Sequence, residues 1–204
     1  MHPWDHIGNP IDSMRYGPDH KARTHRRILK NAARRFLAEG LDGLGVATVM
    51  KASGLTVGAF YKHFGSKEEL LAEAVEQGFC EFGEKLTAVA SQVPPSEAWR
   101  EIVKWYLSAE HCEHSDMRCP VAGLASDIAR ATAGIKKRIA GLMKARRERL
   151  MKFMPGGSAE EKLKSFIVIF AAMAGALSVA RMLPDPGERQ KVLNSVRDHL
   201  LGSF

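Results

Sequence analysis

ASGLTVGAFYKHFGSKEELL, residues 52–71 of the 204-residue chain, is the stretch that decides the fold. Gly54-Leu55-Thr56 places a tight glycine turn between two short helical runs, Val46–Ser53 and Val57–Phe64, which is the pattern of a helix-turn-helix. Thr56 stands where an N-cap is wanted. Gly58 and Ala59, at the start of the second run, leave room for the backbone to approach a duplex closely. Tyr61, Lys62 and His63 follow, and their hydroxyl, ammonium and imidazole can meet phosphates or base edges. Ser66 with Glu69 three residues on is a capping box, which opens a long helix. Lys67, in the first turn of that helix, opposes its dipole. Such a cost is understandable where the ammonium meets a phosphate.

Upstream, the helical period begins near His20. Ile28, Ala32 and Phe36 form one row, Leu29, Ala33 and Leu37 the next, and Gly40 stops the helix as a C-terminal glycine does. Downstream, Leu70, Leu71, Ala74, Val75, Phe79, Phe82, Leu86 and Val89 mark a long helix that ends at Pro94-Pro95. Further helices are expected over 96–110, from Pro120 to Ala129, and over 134–153, with an irregular polar segment at 111–118. Ser158 and Glu161 form a second capping box ahead of the apolar run to Met182. Asp185-Pro186-Gly187-Glu188 has the N-cap, the N1 proline and the N3 glutamate of a final helix. No strand alternation and no internal repeat is present. The expectation is an all-α chain of about nine helices. Residues 1–19 are set aside as a disordered lead or expression remnant, 20–67 form an N-terminal three-helix bundle carrying the helix-turn-helix, and 68–204 form a larger helical domain.

The run 52–71, with Ile28–Phe36 and Gly40 before it, resembles the tetracycline-repressor (TetR) family of bacterial regulators in its glycine turn and in the spacing of its tyrosine, phenylalanine, lysine and leucine. The resemblance covers roughly residues 20–71. It implies that Thr56, Val57, Gly58, Tyr61, Lys62, His63 and Lys67 contact DNA, and that Phe60 and Phe64 pack. It also implies that the C-terminal helices form a ligand pocket and a dimer interface. Two positions depart from the family pattern. Gly45 stands where a capping serine or threonine is usual, and Ala47 where an arginine is common; Thr48 is the candidate substitute for the lost backbone contact. The tyrosine ring is expected to pack in the bundle with its hydroxyl outward.

Charge agrees with a duplex as partner. The net charge is +7. From Met14 to Lys67 there are eleven lysines and arginines against three acids, so the whole excess lies in the N-terminal module. The later basic runs, Lys136–Arg138 and Lys144–Arg149, read as solvated helix faces. An enzyme is disfavoured, because the chain has no nucleophile elbow, phosphate loop or dinucleotide glycine pattern. A purely architectural DNA protein would not need the large second helical region.

Aromatic and sulfur side chains of the second domain, Phe82, Trp105, Tyr106, Met117, Met143 and Phe166, are the candidate walls of a pocket for a small apolar or aromatic effector. Three cysteines, Cys80, Cys112 and Cys119, are too few and too odd in number for a disulfide scaffold and fit a reducing cytoplasm. Cys112 and Cys119 flank the polar segment, so a thiol sensor is the alternative to a binding pocket; Arg118 beside Cys119 could lower a thiol pKa, whereas Pro120 and the helix after it would bury the sulfur. His111, Cys112 and His114 match no standard zinc spacing, and no metal or cofactor is expected. The apolar stretch Phe166–Ala180 falls short of a membrane span and reads as a buried helix. Its small residues Ala171, Ala172, Ala174, Gly175, Ala176 and Ser178 would let a second copy approach closely. Taken together, the sequence predicts a cytoplasmic homodimeric repressor that leaves double-stranded operator DNA when it binds a small molecule.

Overall fold

The computed structural model describes residues 18–40, 45–114 and 118–204. Most of the lead assigned to 1–19, and the pocket candidate Met117, lie outside these residues. Pro18 and Asp19 already belong to the first helix, α1 (Pro18–Glu39). Then come α2 (Val46–Ala52), a 3-10 helix (Val57–Lys62), α3 (Lys67–Ala90), α4 (Ala98–Tyr106), α5 (Ala109–Glu113), α6 (Pro120–Arg130), α7 (Ala133–Leu150) with a 3-10 turn at its end, α8 (Ala159–Met182) and α9 (Pro186–Ser203). The described residues contain no strand.

Most helix ends follow the local signals. Gly40 closes α1 with φ 81°, a left-handed conformation that suits glycine. Ser158 and Glu161 exchange both bonds of the capping box at α8, and the Asp185 side chain accepts from the Glu188 N–H at α9. At α3 the Ser66 hydroxyl accepts from the Glu69 N–H, but the Glu69 carboxylate reaches one residue further back, to the Gly65 N–H at 2.6 Å.

Two elements differ from expectation. The second half of the helix-turn-helix is a 3-10 helix: Ala59 donates to Thr56 and His63 to Phe60, at 3.1 and 2.9 Å. The segment lies between two glycines, Gly54 and Gly65, and 3-10 bonding is common in short pieces of this kind; only its end adds an i→i−4 bond, from the Phe64 N–H to the Phe60 carbonyl at 3.0 Å. The other difference is α5, which occupies part of the segment expected to be irregular. The Ser108 side chain caps it by accepting from the His111 N–H, and Arg181 of α8 binds the carbonyls of His111 and Cys112 at 3.0 and 3.1 Å. These long-range bonds satisfy carbonyls that the last turn of a helix leaves open.

The long α3 runs through two cores. Its first half gives Leu70, Ala74, Val75 and Phe79 to a core with Ile28, Ala32 and Phe36 of α1, Val49 and Met50 of α2, and Phe60 and Phe64. Leu124 of α6 and Ile135 and Ile139 of α7 complete that core. The second half of α3 gives Phe82, Leu86, Val89 and Ala90 to a second core built on α4, α5, α8 and α9. The hydrophobic division therefore falls near Phe79–Phe82, and α6 and α7 lean on the N-terminal bundle. Arg138 of α7 clamps Glu76 of α3 through two bonds of 2.6 and 2.7 Å across this junction.

Expected as a buried core helix, α8 is 24 residues long and apolar enough to cross a membrane by length and composition, yet only a third of its most apolar window is buried. Ile169, Met173, Leu177 and Ala180 point into the core, whereas Ile167, Val168, Val179 and Met182 are exposed. The amphipathic count failed here because both faces are apolar, so periodicity could not tell the inner face from the outer one.

Candidate nucleic-acid interface and ligand cavity

The turn of the helix-turn-helix is held from three directions. Gly54 takes φ 68°. The Ser53 hydroxyl donates to the Val49 carbonyl at 2.9 Å, and the Asn31 amide of α1 donates to the Ser53 hydroxyl and to the Ala52 carbonyl at 3.0 and 3.2 Å. Asn31 was not singled out from sequence, because its role depends on a contact 21 residues away. Phe60 and Phe64 are buried and stacked at 5.6 Å between ring centroids, which anchors the 3-10 helix on the bundle.

The residues assigned to DNA do not all sit alike. Thr48, Thr56, Val57, Gly58, Lys62 and Lys67 are exposed. Thr56 holds the N-cap position with no side-chain cap bond, as does Gly45 at α2. Tyr61 is 76% exposed and meets Phe60 edge-on at 5.2 Å. Its ring stands outside the bundle instead of packing within it, because Phe60 and Phe64 already fill the inward positions. His63 is half-buried and turned toward α1, 6.1 Å from the His25 ring. Burial lowers its pKa, and the nearby His25, Lys21, His20 and Lys62 lower it further. His25 in turn stacks on Phe64 and sits 2.8 Å from the Glu73 carboxylate.

A second site lies in the C-terminal domain. It is a cavity of about 460 Å³ between the end of α4, the start of α6, and the facing sides of α7 and α8. That volume lies within the range of small-molecule sites. Of the six expected wall residues, Tyr106, Met143 and Phe166 line it. Phe82 and Trp105 instead surround the buried His111, whose ring stacks on Trp105 at 4.8 Å and on Phe82 at 5.6 Å. The His111 Nδ1 donates to the Tyr106 carbonyl at 2.6 Å. His114 is exposed, whereas His111 and Cys112 are buried, so the three residues whose spacing matches no zinc pattern are divided between interior and surface. Among the described residues no cluster of three potential metal ligands occurs.

Sequence reasoning missed Cys119, Val121, Lys144, Arg146, Arg147 and Phe170 as cavity wall. Cys119 is 3% exposed and stands with Tyr106 on the cavity wall. Burial first, and Cys119 second, push the Tyr106 hydroxyl well above its ordinary pKa. Cys112 is also buried, while Cys80 is exposed. Arg118 turns away toward α1, donating to the Leu37 carbonyl at 3.4 Å. The Lys144–Arg149 run, expected as a solvated face, contains one inward residue. Arg146 lies over the rings of Phe79 and Phe82, at 5.1 and 5.4 Å, and donates to the Phe79 carbonyl. A mixed basic run carries no periodic signal that would single out its buried member.

Residues 28–74 match the family model described as bacterial regulatory proteins, tetR family. The HTH-type transcriptional regulator AcrR of Shigella flexneri is 33% identical over 82 residues, which are 39% of this chain and 38% of that one, so the aligned part spans well under half of the curated relative. Over the full fold, a TetR-family transcriptional regulator from Cytophaga hutchinsonii superposes with a TM-score of 0.71 at 18% identity, covering 89% of this chain and 95% of its own. A TetR regulator from Chloroflexus aurantiacus gives 0.69 at 21% identity, covering 90% and 95%. Residues 28–74 thus match the family model of the bacterial tetR regulators, and the described residues share the all-α fold of these solved structures.

Proposed function

We propose that this chain is a cytoplasmic, homodimeric repressor of transcription that releases its operator when a small, largely apolar molecule enters the C-terminal cavity. The observation that carries the reading is the link between cavity and DNA module. Cys119 and Val121, at the start of α6, form cavity wall, and Arg118 beside them holds the carbonyl of Leu37 at the end of α1. A ligand that displaces α6 would move α1, and with it the helix-turn-helix that Asn31 ties to α1. In a dimer that movement changes the spacing of the two reading heads, which must match half-sites on the duplex.

Exposure of Tyr61, Lys62 and Lys67 supports the assignment of the 3-10 helix to the major groove and of Lys67 to a phosphate. The exposed apolar stripe of Val168, Val179 and Met182 on α8, with Gly175 between them, supports a subunit interface built by pairing this helix with its copy.

A second reading, a thiol sensor, is favoured by one observation: Cys119 stands on the cavity wall beside Tyr106. Both are tested by selecting bound fragments from the host genome, labelling one, and following release by fluorescence anisotropy. Wild type and the Cys112→Ser, Cys119→Ser double variant would be challenged with reversible apolar compounds, an oxidant and an electrophile. Reversible release in the double variant supports the pocket. Release by oxidant or electrophile alone, lost on Cys119→Ser, overturns it in favour of the thiol.

A further inference from the structure

The cavity wall has a charge that its apolar character conceals. Lys144, Arg146 and Arg147 all contribute to it from α7, and no aspartate or glutamate does. None of the three forms an ion pair with another of the described residues. The contrast within α7 is informative. Arg138 is clamped by the Glu76 carboxylate of α3, whereas Arg146, about two turns later, reaches α3 at a carbonyl and two aromatic faces, and Lys144 and Arg147 beside it border a cavity with no acid among its lining residues.

Arg146 is the sharpest case. Its guanidinium is withdrawn from water far enough for burial to lower its pKa. Its compensation consists of the Phe79 carbonyl and the faces of two aromatic rings. A guanidinium presents five N–H donors in a planar fork suited to a carboxylate, and a buried cation without a counter-charge is costly. Across the cavity the chemistry reverses. Phe166 and Phe170 of α8 stack at 4.4 Å, and Ile167 and Ala171 continue the apolar surface. The site thus has a cationic side on α7 and an apolar side on α8.

We propose that the cavity binds an amphipathic anion, an apolar body bearing a carboxylate that is held by Arg146 and Arg147 while the body lies on Phe166 and Phe170. Lys144 adds attraction at the same wall. This inference rests on the reading of the cavity as the effector site, and it narrows the effector from any apolar molecule to an apolar acid. The bound carboxylate supplies the counter-charge that the protein omits, and charge-assisted bonds of this kind are the stronger class.

The test uses the full chain and two matched series: naphthylacetate, naphthylacetamide and naphthylethylamine, and decanoate, decanamide and decylamine. Binding is read by calorimetry at neutral pH, and operator release by anisotropy. In at least one series the carboxylate should bind about tenfold or more tighter than the amide, with the amine weakest. Arg146→Gln should erase that preference. Because Arg146 also packs on Phe79 and Phe82, the Lys144→Gln, Arg147→Gln double variant is measured in parallel and should reduce the preference while folding normally. Equal or tighter binding of the amide or amine overturns the proposal, as does absence of binding in both series or a preference that survives in the folded variants. Amide-selective release would overturn the anion while leaving the effector reading intact. Carboxylate-selective binding without release would support the anion site and overturn the effector reading.

Discussion

Replacing Lys67 with alanine should weaken DNA binding while leaving the fold as stable as before, or slightly more so. Lys67 is the first residue of α3 and is exposed, and it forms no ion pair among the described residues. Its ammonium stands at the positive end of the helix dipole, so its removal should relieve about 0.3–1 kcal/mol of unfavourable interaction. The thermal midpoint should therefore hold, or rise by about 1–3 °C. The DNA side carries the opposite sign. A lysine that neutralises one phosphate contributes about 0.9 to the slope of log affinity against log salt, hence about 1.8 for the two copies in a dimer. From about 50 to about 200 mM salt, wild type should then lose about twelvefold more affinity than the variant. The assay is fluorescence anisotropy with a labelled operator and a scrambled duplex over that salt range, beside a thermal melt. An unchanged slope refutes the phosphate contact, and a changed base preference at one operator position refutes the role assigned to Lys67.

Three further outcomes are expected. Val168→Glu with Val179→Glu, which charges the exposed apolar stripe of α8 where the two valines are 44% and 43% exposed, should turn a dimer into a monomer by sedimentation at micromolar concentration; wild type sedimenting as a monomer would defeat the interface. Asn31→Ala removes both amide bonds to the turn and should cost about 1–2 kcal/mol in urea unfolding while weakening operator binding, and an unchanged midpoint would contradict the tie described here. His63 has a folded pKa lowered by burial and by its positive neighbours, so its contribution to stability is complete above the unfolded value near 6.5 and is lost as pH falls toward the lowered one. The melting temperature should drop between about pH 7.5 and about pH 5.5, and His63→Gln should make that drop shallower; an equally steep fall would assign the titration to other groups.

Much of the helix-turn-helix module was legible because its signals are local. Gly54 and Gly40 are read from the chain alone, since a left-handed turn restricts residue type wherever it occurs. Phe60 and Phe64, which the family resemblance placed inward, are buried. The Tyr61 ring, expected to pack in the bundle, stands outside it, since an aromatic ring satisfies both an inward and an outward expectation until its neighbours have filled the core. His63 was assigned to DNA as one of a basic series. Its half-buried position beside His25 depends on α1, 38 residues earlier in the chain, a distance that no local pattern bridges.

The C-terminal domain divides in the same way. By itself the sequence determined an all-α chain, where α3, α6, α8 and α9 begin, and the helix-turn-helix, because caps, glycine turns and apolar periods act between residues a few positions apart. Only the tertiary structure decided that Arg146 turns inward while Lys144 and Arg147 border the cavity, that Cys119 joins Tyr106 on the cavity wall, that Phe82 and Trp105 enclose His111, and that one side of α8 stays bare. Those facts depend on which distant surface meets each face. Burial, pairing and cavity walls are properties of packed neighbours, and helical periodicity fixes a side chain's direction on its helix without saying what will stand opposite it.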